Sequence, residues 1–252
     1  MHNWITLDGA VNVRDLGGLQ AKGGVTRHGV LLRGDSMAKV SEADVMLLTG
    51  EYRLTRLIDL RSAGETQETP VSPLRDHGVT IDHLPLVDDA GLARRSAMLR
   101  HASSSLAGMP LANAYDEFLS LGRDAIACAV KTLASGDGTP ALVHCTAGRD
   151  RTGVLVAILL DAAEVDRNAI VADYAATGEK AELLAQRLSE MSGYEREAVR
   201  ATAANLVTRP ETMEAFLQVM DDRFGGTRAW LLSAGVEAQV LDRWRDILVV
   251  QR

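Results

Sequence analysis

The chain has 252 residues, 46% of them hydrophobic and 24% charged, enough for one large α/β domain with a full core or two small ones. Its formal net charge of -7 argues against a nucleic-acid partner and means that an anionic ligand must be held by a local positive site. Two cysteines, Cys128 and Cys145, are too few for a disulfide framework, and no His/Cys spacing typical of a metal site occurs, so neither metal nor cofactor is expected.

The start, Met1-His2-Asn3-Trp4, lacks the basic and apolar regions of a signal peptide. The longest apolar run, Val154 to Leu160, is too short to span a bilayer. A soluble cytoplasmic protein is expected, with export that needs no cleaved signal still compatible. Val11 to Leu19 alternates until the pair Gly17-Gly18, Gly23-Gly24 marks a turn, and Gly29 to Arg33 reads as a returning strand. Ser41 is a good N-cap for a helix through Leu48, with Glu42 and Asp44 in its first turn and Gly50 as its stop. Leu54 to Leu60 reads as a buried strand and Val79 to Leu86 as another.

Helical patterns follow at Leu92 to Leu106, Leu111 to Leu121 and Asp124 to Leu133, the last placing Cys128 on an apolar face as a core residue. After the loop Gly136 to Pro140 come a short buried strand, Ala141 to His144, and an apolar helix from Arg151 to Ala163. Everything beyond reads as helix, broken near Gly178, Gly193, Pro210, Gly225-Gly226 and Gly235. Strands alternating with helices predict one α/β domain over residues 1–252, with a mainly parallel sheet and its ligand at the strand carboxyl ends.

The segment His144-Cys145-Thr146-Ala147-Gly148-Arg149-Asp150-Arg151-Thr152-Gly153 carries the chemistry. A buried strand delivers the cysteine, Gly148 permits a tight bend, and a helix begins near Arg151. Such a strand–loop–helix turns backbone N–H groups toward a concavity at a helix N-terminus, an oxyanion site for phosphate. Thr146, Ala147, Gly148 and Arg149 are the expected substrate-binding residues. The positive helix end and two arginines favour the thiolate of Cys145 as a nucleophile. Arg151 is placed to clamp two phosphate oxygens, and Thr152 to donate a hydrogen bond to the sulfur when it departs.

The loop HCTAGRDRTG resembles the signature of the protein tyrosine phosphatase superfamily, and in particular its bacterial tyrosine/lipid phosphatases. NVRDLGG at Asn12 to Gly18, LLRGDS at Leu31 to Ser36, IDLRS at Ile58 to Ser62 and the C-terminal GVEAQVLDRWRDIL extend the likeness nearly end to end. The resemblance implies a four- or five-stranded, mostly parallel sheet flanked by helices. It implies phosphotyrosine protein substrates, with phosphoserine/threonine or phosphoinositides in some members, and a two-helix lid over residues 171–207. One departure is Arg149, where the family usually has Lys; a planar fork replaces a point charge.

The resemblance also makes Asp59, at a strand end, the family's proposed general acid, with a structural pairing to Arg61 as the competing reading. Asp150 sits between two arginines, a poor setting for an acid and a better one for orienting them. Asp88 and Asp89 are a third choice, or solvated loop charges. Arg33 is a candidate second anion contact, Asn12, Arg14 and Asp15 a turn or a polar cluster under the loop, and His144 a buried residue that fixes it. A non-enzymatic phosphate-binding module, sulfur transfer and arsenate reduction are the competing functions. A binder needs no thiol, and a reductase needs a second, well-placed cysteine.

Overall fold

The computed structural model describes residues 2–69, 71–93, 109–192 and 208–251. Its strands there are β1 (Asn3–Trp4), β2 (Arg14–Asp15), β3 (Gln20–Ala21), β4 (Gly24–Thr26), β5 (Leu31–Gly34), β6 (Arg56–Asp59), β7 (Thr80–His83), β8 (Ala141–His144) and β9 (Val249–Gln251). The main sheet runs in the order β1-β2-β5-β8-β6-β7. Its last four strands are parallel, and β2 and β1 extend β5 in antiparallel pairings. The α/β fold class expected from the sequence is thus the one observed, with four parallel strands and two short antiparallel additions. A second sheet, β3-β4-β9, is antiparallel.

The period of two along each strand sorts its side chains to opposite faces. Leu31, Val143 and Ile58 belong to one buried cluster, while their neighbours Leu32, Leu142 and Leu57 belong to another. The second cluster is closed by Val45 and Leu48 of helix α1 (Glu42–Gly50), which begins with the expected Ser41 cap; its capping box is completed by Asp44. A short helix, α2 (Ala63–Glu68), follows β6.

The larger cluster lies beneath α3 (Met109–Leu121), α4 (Arg123–Leu133), α5 (Asp150–Ala162), α6 (Arg167–Ala176), α8 (Pro210–Phe224), α9 (Thr227–Ser233) and α10 (Ala238–Leu248), with α7 (Ala181–Ser192) packed separately. Helix α5 is apolar all round and buried from Arg151 to Leu160, as a helix enclosed by others must be. Gly153 permits that enclosure, since a Cβ there would lie 2.9 Å from the ring of Tyr174 on α6. Trp244 of α10 is buried and donates its indole N–H to the carbonyl of Leu159 at 2.8 Å.

Two expectations need correction. The chain does not end in helix: Val249 to Gln251 pair with Gly24 to Thr26, because Val249 faces the core while Val250 and Gln251 face out. Cys128 is exposed rather than core, because α4 buries the stripe Ile126, Ala129, Val130 and Leu133 along with Ala127, and Cys128 falls outside it. Most of the expected helix from Leu92 to Leu106, and the second helix of the expected lid, Tyr194 to Leu206, lie outside the described residues. Among the described residues no helix is long and apolar enough to cross a membrane.

Candidate active site

Strand β8 carries Cys145 to the carboxyl end of the sheet, where it is 3% exposed, and α5 starts five residues later at Asp150. From Cys145 to Arg149 each peptide carbonyl accepts a hydrogen bond. The Cys145 carbonyl lies 3.1 Å from His144 Nδ1, and the Thr146 carbonyl accepts from Ser36 N at 3.1 Å. Asn12 Nδ2 donates to the carbonyls of Ala147 at 3.0 Å and Gly148 at 3.3 Å, and Arg33 Nη2 donates to Gly148 at 2.8 Å. Gly153 N donates to the Arg149 carbonyl at 2.8 Å.

A trans peptide points its N–H opposite to its carbonyl, so outward carbonyls turn the N–H groups inward. The N–H groups of Thr146, Ala147 and Gly148 make no hydrogen bond among the described residues. No side chain caps the N-terminus of α5, and the positive end of that helix borders the same concavity. Gly148 makes the bend feasible: its φ is +65°, and a Cβ would stand 2.3 Å from the carbonyl oxygen of Gly34.

Arg151 lies under this cradle, gripped by a residue that the motif reading missed. Its Nη1 meets Glu65 Oε2 at 2.5 Å and its Nη2 meets Oε1 at 2.8 Å. Glu65 is itself fixed, since Ser62 N donates to Oε2 at 2.8 Å and the Thr146 hydroxyl donates to Oε1. Burial works to raise the Glu65 pKa, but the bonds from Arg151 and Thr146 bring it down to about 2. The same pairing outweighs burial at Arg151 and holds its guanidinium firmly cationic. A sequence signal existed: Ser62-Ala63-Gly64-Glu65 is a capping box, and both of its bonds form at the start of α2.

The other candidates sort by placement. Arg149 Nε holds Asp150 Oδ2 at 2.9 Å, and the Tyr115 hydroxyl donates to Oδ1 at 2.9 Å. Asp150 therefore sits at the loop with an edge 17% exposed. Thr152 is fully buried, and its hydroxyl has no hydrogen-bond partner among the described residues. Arg33 is fully buried and reaches an anion only through the loop, because its Nη1 and Nη2 are spent on Asp173 and Gly148.

Asp59 takes Arg61 N, Nε and Nη2 at 3.0, 2.9 and 2.7 Å. Burial acts to raise its pKa, but His144 and Arg61 outweigh it and lower the value to about 2. It pairs in register with His144 and lines, with that residue, Arg61 and His83, a cavity of about 230 Å³ that has no residue of the phosphate loop in its wall. His144 is buried, and burial lowers its pKa against the pull of Asp59, with Nδ1 directed at the Cys145 carbonyl. Asp89 accepts from Gly64 N in the first turn of α2, 25 residues away, and Asp88 from Gly91 N in a local turn.

Helix α7 flanks the loop on its outer side. Ala181, Leu184 and Ala185 pack with Val11 and Ala147. Arg187 Nε lies 3.1 Å from Asp35 Oδ2, and its Nη2 donates to the Ser36 carbonyl at 3.2 Å. Asp35 in turn accepts from the N–H groups of Val11 and Asn12, and burial raises its pKa against the influence of Arg187.

A model of the tyrosine phosphatase family matches residues 5–250. The chain is 28% identical to the triple specificity protein phosphatase PtpB of Mycobacterium tuberculosis, with 96% of this chain and 98% of that protein aligned. It is 32% identical to a Cupriavidus necator protein provisionally named a tyrosine-protein phosphatase, over 91% of this chain and 83% of the relative. A tyrosine-protein phosphatase of Nostoc commune is 26% identical over 74% of this chain and 63% of the relative. With an end-to-end family match added to a cradle of inward amides around Cys145, the chain belongs to the tyrosine phosphatase family, enzymes that hydrolyse phosphate esters.

Proposed function

We propose that the chain hydrolyses phosphotyrosine in proteins through a phosphocysteine intermediate. The observation that carries this reading is the loop from Cys145 to Arg149, whose carbonyls all accept from donors other than the loop's own amides, so that the N–H groups of Thr146, Ala147 and Gly148 turn the opposite way. In the first step the Cys145 thiolate attacks phosphorus, an S–P bond forms, and the bond to the tyrosyl oxygen breaks. The inward amides and Arg151 take the charge spread over the equatorial oxygens. Glu65 occupies the end of the Arg151 fork and leaves its side edge for the phosphate. In the second step water attacks phosphorus, the S–P bond breaks, and the Thr152 hydroxyl supports the departing thiolate.

The departing tyrosyl oxygen takes its proton from Asp150 in this reading. Asp150 stands at the loop with an exposed edge, and a phosphate dianion in the cradle raises the proton affinity of a neighbouring carboxylate. Asp59 serves instead as a strut for Arg61 and the His144 end of β8, since its carboxylate is fully engaged and strongly ionised. In the second step the Asp150 carboxylate accepts a proton from the attacking water and is thereby restored for the next cycle.

Breadth toward phosphoserine, phosphothreonine or phosphoinositides is the second reading, favoured by the triple specificity in the name of the Mycobacterium tuberculosis relative. Arg149 keeps a positive charge beside the loop, although its Nε is committed to Asp150. Turnover of p-nitrophenyl phosphate by wild type and by Cys145→Ser tests the chemistry. Turnover that survives the substitution would refute the thiolate mechanism. A panel of phosphopeptides and phosphoinositides then ranks the substrates.

A further inference from the structure

Behind the phosphate loop, on the side away from any substrate, lies a buried charged cluster that the steps above leave unused. Asp173 of α6 is 3% exposed and takes Arg14 Nε at 2.7 Å and Arg33 Nη1 at 2.5 Å, one on each oxygen. Arg14 also donates to Asn12 Oδ1 at 2.7 Å, to the Asp173 carbonyl at 2.7 Å and to the Thr177 hydroxyl at 3.2 Å. Two further donors of the cluster, Asn12 Nδ2 and Arg33 Nη2, reach the carbonyls of Ala147 and Gly148.

Two guanidinium groups share one carboxylate, so a net positive charge is buried beneath the loop. That arrangement is costly. Burial and the neighbouring Arg33 pull the Arg14 pKa down to about 10 against the pull of Asp173, and Arg33 Nε has no hydrogen-bond partner among the described residues. A buried ion cluster of this kind is often no more stable than well-packed apolar side chains, which points to a use for the charge and the directed donors beyond stability.

We propose that Asn12 and Arg33, braced by Arg14 and Asp173, are positioning residues that aim the loop amides and direct a buried positive charge at a phosphate dianion. Pinning the Ala147 carbonyl outward fixes the Gly148 N–H inward, and pinning the Gly148 carbonyl does the same for Arg149 N–H. The cluster thereby acts on the substrate through two peptide units, without touching it. This inference rests on the reading of the loop as a phosphate cradle.

Tungstate, a phosphate-like oxyanion, tests both levels when its binding to Cys145→Ser is measured by calorimetry and by the rise it produces in Tm. Adding Asn12→Ala or Arg33→Met is expected to weaken tungstate by about tenfold or more and to shrink the tungstate-induced rise in Tm. Arg33→Lys, which keeps the charge, is expected to recover part of the loss. With Cys145 intact, Asn12→Ala is expected to lower kcat for p-nitrophenyl phosphate. Variants that melt earlier alone yet bind tungstate as the parent does would reduce the cluster to a structural support and overturn the proposal. Absence of tungstate binding to Cys145→Ser itself would overturn the cradle reading instead. Should Arg33→Met not fold, Asn12→Ala carries the test, since it removes one amide and no charge.

Discussion

Arg151 and Glu65 meet fork to fork, at 2.5 and 2.8 Å, while Glu65 is tied at the same time to Ser62 N and the Thr146 hydroxyl. A carboxylate that only competed with phosphate for the arginine would need freedom to swing away. This one is anchored in the capping box of α2, so it orients the guanidinium rather than blocking it. Glu65→Gln keeps the shape and loses one strong charge-assisted bond. Its kcat is expected to fall by about 100-fold, the scale on which a slightly misplaced group slows chemistry. A faster Glu65→Gln enzyme would identify Glu65 as a competitor of the phosphate.

The two candidate proton donors separate by leaving group. For Asp150→Asn, hydrolysis of phenyl phosphate is expected to drop by about 100-fold or more, the range of general acid catalysis. Hydrolysis of p-nitrophenyl phosphate should drop far less, because its leaving group needs little protonation. Asp59→Asn should lower both rates by one common factor and lower Tm. Leaving-group dependence in Asp59→Asn alone would hand the role back to Asp59.

Acid stability follows from the sign of two shifts. Asp59 and Glu65 are both held at about 2 in the folded chain, against ordinary values of 3.8 and 4.5. Each group therefore contributes stability that is complete above its unfolded value and disappears as pH falls through the folded one. The stability of the wild type should decline between about pH 5 and pH 2. That decline should flatten in Asp59→Asn and Glu65→Gln, as followed by urea midpoints across the range.

Gly148 has no tolerated replacement. Alanine at a φ of +65° costs about 1 kcal/mol or more in conformation alone. Its Cβ would also stand 2.3 Å from the oxygen and 2.5 Å from the carbon of the Gly34 carbonyl, backbone atoms of β5 that cannot rotate away. Gly148→Ala is expected to lose tungstate binding and to melt at lower temperature. Retention of full tungstate affinity would mean that the loop has room that the geometry denies it.

Much of this was readable from local pattern. The capped helix after Ser41, the buried runs of β6 and β8 and the strand–loop–helix at Cys145 follow from periodicity, caps and glycine placement over short stretches. What escaped depends on partners distant along the chain. Glu65 belongs to Arg151, 86 residues away, and Asp173 to Arg33, 140 away. Asn12 and Arg14 read equally well as turn residues, because only the tertiary fold sets them beneath the loop. Cys128 was misplaced for a milder reason: on a helix so rich in alanine and valine, the boundary of the apolar stripe is blurred.

The outward carbonyls also set an order of events in synthesis. Asn12, Arg14 and Arg33 emerge first, the loop they serve follows more than 100 residues later, and the Asp173 that braces two of them comes later still. A nascent chain that ends before α6 leaves Arg14 and Arg33 without their shared counter-ion. Competence to grip an oxyanion is therefore acquired all at once and late, when the chain's beginning closes onto its middle. The thiol of Cys145 stays without its phosphate cradle until the enzyme around it is built.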